Sequence, residues 1–180
     1  MKILKDKNRI DLAKLFHGRG VEVGVEQGIF SEQICLNAPV LKLYCVDAWK
    51  PYRAYRDHTS VGKLERFYWR TRKRLHKYGC RVIRETSVDA AKGFTDGSLD
   101  FVYIDANHAY EFVMKDLKIW WPKLKPGGIM AGHDYLDLPE RKQFYDVIGA
   151  VNDFVKENNI EDLTIFAAEE HPSFMFKKTL

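Results

Sequence analysis

The feature that most constrains this chain is a repeated change of period. Short β-rich apolar runs alternate with segments whose apolar residues recur every three or four positions. The runs are VEVGV at 21–25, LKLYCVDAW at 41–49, CRVIRETS at 80–87, SLDFVYIDANH at 98–108 and GIMAGHDY at 128–135. Helical spacing follows them at about 29–36, 61–78, from Val88, 110–121 and 141–157, and a leading helix is expected over 8–16. In the 141–157 segment Phe144, Val147, Ile148, Val151, Phe154 and Val155 share one face. Five strand–helix units in succession imply parallel strands joined by right-handed crossovers. LTIFAA and SFMFK then flank EEHP, the spacing of an antiparallel hairpin, which should add a reversed strand at one edge. The expected class is α/β, a doubly wound, mostly parallel sheet.

The 180 residues suit a single domain over 1–180, with no linker, repeat or low-complexity tract. No apolar run approaches the roughly 20 residues that span a bilayer, so no membrane partner is expected. The opening MKILKDKNRID is too broken to read as a signal peptide. Cys35, Cys45 and Cys80 are odd in number and lack metal-site spacing. They read as buried thiols in a reducing compartment, with the cytoplasm expected.

The first strand–helix junction is where an open α/β sheet binds its ligand. Here Glu22 precedes Gly24, and Gly28 lies four residues on. A dinucleotide site usually carries G-x-G-x-x-G, whose first glycine is missing. Asp47, ending the second strand, stands where a ribose-binding acid belongs and suits either kind of nucleoside cofactor. A pyrophosphate, however, would meet the wrong charge in Glu22 and Glu26.

This spacing, with Asp47 and the strand count, resembles motif I of the class I S-adenosylmethionine-dependent methyltransferases over nearly the whole chain. The resemblance implies a Rossmann-like, seven-stranded sheet in the order 3-2-1-4-5-7-6 and S-adenosylmethionine as cofactor. It also implies cofactor contacts at Glu22, Gly24, Gly28, Asp47, Ala48, Thr86, Ser87 and Asp105. Glu22 would anchor the turn or the methionyl ammonium, in part through water. Gly24 and Gly28 would let the backbone approach the cofactor. Asp47 would accept from both ribose hydroxyls, and Thr86-Ser87 would contact adenine, although many relatives carry Asp at the position of Thr86. The plainer alternative is that the glycines serve packing and Asp47 caps a turn.

The fourth and fifth strands end in IDANHAYE and AGHDY. If they are neighbours, Asp105, His108, His133 and Asp134 converge on one rim beside the cofactor crevice. Oxygen ligands suit Mg²⁺ or Mn²⁺, and imidazole moves the preference toward Mn²⁺, Fe²⁺ or Zn²⁺. These strand ends are similar to those of metal-dependent O-methyltransferases, including the antibiotic-sugar branch and, more distantly, the catechol type. The resemblance implies a metal held by Asp105, His133 and Asp134, with His133 standing where that family has an acid. His133 is then a ligand or the general base. His133, His108 and Asp105 are the catalytic candidates, although His108 could instead cap the helix near Tyr110. An acceptor hydroxyl would attack the sulfonium methyl in line, with the protein supplying alignment, desolvation and a path for the proton.

Enzymes that methylate base amino groups typically carry Asn/Asp-Pro-Pro-aromatic after the fourth strand. Asp105-Ala106-Asn107-His108 has no proline, which argues against that chemistry. Residues 50–78 carry ten Lys or Arg against Asp57 and Glu65. They interleave Tyr52, Tyr55, Tyr68 and Trp69 with Arg53, Arg56, Arg66 and Arg70. This segment is a candidate acceptor-binding insertion, able to stack on a sugar or aromatic ring and hold an anionic group. It could also bind single-stranded nucleic acid, or be a solvated helix face over a core of Leu64, Phe67 and Leu75. The expected function is methyl transfer to a hydroxyl of a small molecule or sugar, with metal assistance. The alternatives are a nucleic-acid-binding methyltransferase and an inert binding module. A non-haem iron oxygenase built on His108, His133 and Asp134 would leave the glycine loop unexplained. Homo-oligomerisation, or a partner subunit that closes the site, stays open.

Overall fold

The computed structural model describes residues 1–51 and 60–179. Its strands are β1 (Lys2–Leu4), β2 (Gly18–Val23), β3 (Val40–Val46), β4 (Arg81–Ile83), β5 (Leu99–Ile104), β6 (Leu124–Gly132), β7 (Thr164–Phe166) and β8 (Ser173–Lys177). The helices are α1 (Arg9–Ala13), α2 (Ile29–Asn37), α3 (Val61–Leu75), α4 (Ser87–Ala91), α5 (Tyr110–Trp120) and α6 (Val147–Glu157). All eight strands form one sheet, ordered β4-β3-β2-β5-β6-β8-β7-β1. Without β1, this is the expected order of a class I methyltransferase. β8 alone runs antiparallel, between β6 and β7, so the reversed strand lies inside the sheet. The far edge is covered by β1, which pairs in parallel with β7 through Lys2–Thr164, Ile3–Ile165 and Leu4–Phe166. A three-residue strand carries too little alternation to stand out in the sequence, hence eight strands rather than seven.

Alternation along the central strands divides the core into two layers. Val21, Val23, Val102, Ile104 and Met130 pack with Ala90, Val113, Leu117, Trp120, Val151 and Phe154, on the side of α4, α5 and α6. Phe101, Tyr103, Leu43, Cys45 and Ala131 pack with Leu12, Phe16, Phe30, Ile34, Leu64, Phe67 and Leu75, on the side of α1, α2 and α3. Leu64, Phe67 and Leu75 are therefore core residues, as their spacing implied. Several expected elements are shorter, two of them for evident reasons. α6 begins at Val147 because Pro139 opens a separate 3₁₀ turn and the Asp146 carboxylate caps the helix, accepting from Gly149 N at 3.0 Å. Phe144 thus lies before α6 and is exposed. The third strand narrows to Arg81–Ile83, and Thr86 already caps α4. Tyr52, Arg53, Tyr55 and Arg56 of the basic segment lie outside the described residues. The three thiols are free, Cys45 is buried, and Cys35 Sγ lies 3.4 Å from Cys80 Sγ. Among the described residues no helix is long and apolar enough to cross a membrane.

One packing contact fixes β2 against β5. Phe16 stacks on Phe101 with ring centroids 4.3 Å apart. The Phe101 ring also covers Gly20, where an added Cβ would sit 2.1 Å from ring carbons. Gly20→Ala should therefore destabilise the fold by about 1–3 kcal/mol through overpacking. Combining it with Phe101→Leu should recover part of that cost. A double-mutant cycle in urea would read this as a coupling energy, and strict additivity would contradict it.

Candidate active site

The site is built where β2, β3 and β5 end. Asp105 N donates to Val23 O at 2.8 Å, and Gly24 N donates to Val46 O at 2.9 Å, drawing the three strand ends together. Gly24 has φ +89°, and a Cβ there would stand 1.9 Å from the Asp105 carbonyl oxygen. Its immediate constraint is thus the approach of the Asp105–Ala106 backbone, a reason beyond the cofactor approach read from the spacing. Gly28 ends the turn at φ +71° and caps α2, and a Cβ there would meet Thr71 and Leu75 of α3.

Asp47 braces the turn. Its carboxylate accepts from Glu26 N at 2.9 Å and from Trp49 N at 2.7 Å. The Glu26 carbonyl in turn accepts from Trp49 Nε1 and Thr71 Oγ1. Burial raises the Asp47 pKa, partly offset by these backbone donors. A carboxylate has about four acceptor sites, so these backbone donors do not exhaust it and hydroxyl donors can still bind.

Two cavities share the neck formed by Gly24, Glu26, Asp105 and Ala106. The first, about 420 Å³, is lined by Asp47, Ala48, Thr86 and Ser87 among others. The second, about 330 Å³, is lined by Arg9, Glu22, Gln27, Phe30 and His108 among others. Of the residues expected to contact a cofactor, all but Gly28 line one or both. Glu22 is buried and takes a very short hydrogen bond from Ser31 Oγ. Burial pushes its carboxyl up to about 8, against the Ser31 hydrogen bond and with help from the Asp105 charge. Sequence reasoning missed Asp116 in the first cavity. This α5 acid accepts from Ser87 Oγ at 2.5 Å, and burial raises it to about 6 despite that bond. A lone acid at a core position of a helical face was the available signal.

Beside the neck stands the expected cluster. His108 Nε2 lies 2.8 Å from Asp134 Oδ2 and 3.6 Å from Asp105 Oδ1. His133 Nδ1 lies 3.5 Å from Asp134 Oδ1 and 3.9 Å from Asp105 Oδ2. Ligand atoms of Asp105, His108 and Asp134 all fall within 4.8 Å of one another, close enough to share one cation. His133 Nε2 is buried with no hydrogen-bond partner among the described residues. Asp134 adopts φ +60°, an uncommon conformation for a residue with a side chain. A third imidazole also joins: His171 Nδ1 lies 2.6 Å from Asp134 Oδ1. It sits in the turn before β8, and because β8 is antiparallel to β6 that turn reaches the same rim. Of the cluster, Asp105 and His108 line these two cavities, whereas Asp134 and His133 line neither.

Burial would lower the His108 pKa, but the Asp105 and Asp134 carboxylates overcome it and raise it to about 10. Burial would likewise raise Asp134, yet His108 and His133 hold its carboxyl well below the usual range. His108 is thus an imidazolium at neutral pH, a cation set between two carboxylates.

Residues 21–135 match the family model described as a methyltransferase domain. The chain belongs to that family. Its structure superposes on the N-methyltransferase NodS of Bradyrhizobium japonicum with TM-score 0.67 at 14% identity, covering 96% of this chain and 92% of that one. The S-adenosylmethionine-dependent O-methyltransferase of Thermotoga maritima gives 0.64 at 13% identity, covering 96% and 63%. The O-methyltransferase of Bacillus cereus, solved in complex with SAH, gives 0.61 at 12%, covering 89% and 74%. Among curated proteins, the uncharacterized protein y4gI of Sinorhizobium fredii is 27% identical over 122 residues, 64% of this chain but only 13% of that protein's length. The chain is a methyltransferase domain with the class I fold.

Glu22 gives this methyltransferase a distinctive acid–base signature. Its folded pKa of about 8 lies above the ordinary 4.5, so the native state holds a proton that the unfolded state has released. Stability should fall as pH rises through the window from about 4.5 to 8. Glu22→Gln keeps an acceptor for Ser31 and should flatten the loss. Urea melts at pH 5, 7 and 8.5 would check it, and equal slopes in the two proteins would refute it.

Proposed function

We propose that this methyltransferase transfers the methyl of S-adenosylmethionine to a hydroxyl of a small molecule or sugar, assisted by a divalent cation at Asp105, Asp134 and the adjoining imidazoles. The observation that carries the reading is the double position of Asp105, which lines both cavities and also belongs to the cation-sized cluster. Adenosine would fill the first cavity, its ribose hydroxyls donating to Asp47 and its base near Thr86 and Ser87. That leaves the neck for the sulfonium and puts the reacting methyl within reach of the cluster.

The donor set fits a cation. Two carboxylates and an imidazole lie within one coordination sphere, and His133 Nε2 is an orphaned buried nitrogen. Without a metal, the imidazolium of His108 neutralises Asp105 and Asp134; binding a metal would displace that proton. Three imidazoles around two acids favour Mn²⁺, Fe²⁺ or Zn²⁺ over Mg²⁺. A bound cation would lower the pKa of an acceptor hydroxyl and hold it in line with the methyl. The chain's own part is to orient the two substrates across the neck, exclude water and take up the proton. His133 is the candidate for the last role, because His108 would be taken up as a ligand of the cation.

Nucleic acid as acceptor has one supporting observation. Arg66, Trp69, Arg70 and Lys73 line a shallow concavity on α3, and Trp69 is 56% exposed. Stacking on Trp69 beside three cations would suit single strands, and binding would then weaken steeply with salt.

Calorimetric titration with S-adenosylhomocysteine tests the reading, with Mg²⁺, Mn²⁺ or a chelator present. Micromolar binding should appear and fall at least tenfold in Asp47→Ala, while Asp134→Asn should abolish a separate metal heat and leave the cofactor bound. No binding to wild type would overturn the proposal.

A further inference from the structure

The second cavity is more polar than a methyl acceptor alone requires, and its charges are sorted. Among the described residues lining it, Arg9 is the one permanent cation, while Glu22, Glu26 and Asp105 supply carboxyl groups. Glu22 is largely neutral near pH 7. The charges facing a ligand there are therefore Glu26 and Asp105 at the neck, the His108 imidazolium already paired with Asp105 and Asp134, and Arg9, which has no such close pair. A ligand group with an ammonium and a carboxylate matches that arrangement.

We infer that Arg9 receives the carboxylate of the cofactor's amino-acid tail, with Glu26 and Asp105 beside its ammonium. This rests on the proposed use of S-adenosylmethionine. If adenosine occupies the first cavity, the tail leaves the sulfur at the neck and has the second cavity to enter.

Arg9 is held for such a role by its own segment. Asn8 and Asp11 form a reciprocal cap, Asn8 Oδ1 accepting from Ile10 N at 2.9 Å and from Asp11 N at 3.1 Å. Ala167 N donates to Leu4 O and Ala168 N to Lys7 O, both at 2.9 Å, tying this segment to the turn before β8. The Arg9 guanidinium lies over Phe30, 4.9 Å from the ring centroid. Its ion pair is loose, with Glu169 Oε2 4.0 Å from Nε and both side chains about a third exposed, at 31% and 34%. A carboxylate could take the guanidinium's planar fork without breaking a tight bond. Arg9 lies outside the matched span of 21–135, so the assignment concerns this chain and not the family pattern.

The test compares two ligands that share the adenosine and sulfur but differ in the tail. S-adenosylhomocysteine carries the amino acid; 5′-methylthioadenosine does not. Wild type should bind both, which is the check on the cofactor reading itself. Arg9→Ala should weaken S-adenosylhomocysteine by about ten- to a hundredfold and leave 5′-methylthioadenosine within about twofold, as expected for loss of one charge-assisted pair. Arg9→Lys should recover part of the loss. Unchanged affinity for S-adenosylhomocysteine in Arg9→Ala would overturn the inference while leaving the cofactor reading standing. Equal weakening of both ligands would also overturn it, since that marks a structural role. A wild type that binds neither would remove the cofactor reading and this inference together.

Discussion

The close approach of two backbones, Gly24 to Asp105, is the constraint on which the site depends. β2 and β5 are neighbours in the sheet, and their chains must leave it in opposite directions toward α2 and α5. They can touch at the point of divergence only if one lacks a Cβ, and Gly24 is that residue. The contact sets the neck between the two cavities and aims Asp105 at the rim. From it follow the position of Glu26, which Asp47 and Trp49 then fix, and the fact that one acid serves both cavities.

Charge is arranged around that neck in a way that needs cations. Asp105 and Asp134 would repel each other across a few ångströms of protein. In this structure a protonated His108 separates them, and His133 and His171 add imidazoles around Asp134. The uncommon backbone conformation of Asp134 persists because its carboxylate is held from three sides. Glu22 resolves the same crowding differently: buried beside Asp105, it keeps its proton and hydrogen-bonds to Ser31. One acid is neutralised by a proton and two by imidazolium, so the rim tolerates its acids without losing a buried charge to solvent.

Much of this was legible in the sequence because periodicity reports burial. The strands themselves, the acid after β3 and the residues that end the fourth and fifth strands follow from alternating apolar runs. The strand order, and with it the convergence of Asp105, His108, His133 and Asp134, came from the resemblance to class I methyltransferases. Features set by long-range packing were not legible. β1 is three residues long and exists because β7 offers an open edge. His171 reaches the cluster because β8 reverses direction beside β6, a consequence of the expected order that a residue-by-residue reading passed over. Asp116 looked like an ordinary helix acid, although its bond to Ser87 puts it inside the first cavity. Gly28 was read as opening space for a cofactor, whereas it faces α3, because the glycine spacing records a turn without recording which way its Cα–H bonds point.

The matched span, residues 21–135, holds the neck, Asp47 and the acids at the ends of β5 and β6. Two segments outside it converge on the same rim: the stretch before β2, which brings Arg9, and the turn before β8, which brings Glu169 and His171. They are joined to each other by two backbone hydrogen bonds, Ala167 N to Leu4 O and Ala168 N to Lys7 O. A fold that keeps its cofactor framework within the central strands can vary its chemistry through such flanking segments, which answer only to local packing. In this chain the flanks add one guanidinium to a rim of carboxylates, and a third imidazole to the two, His108 and His133, that the ends of β5 and β6 already bring.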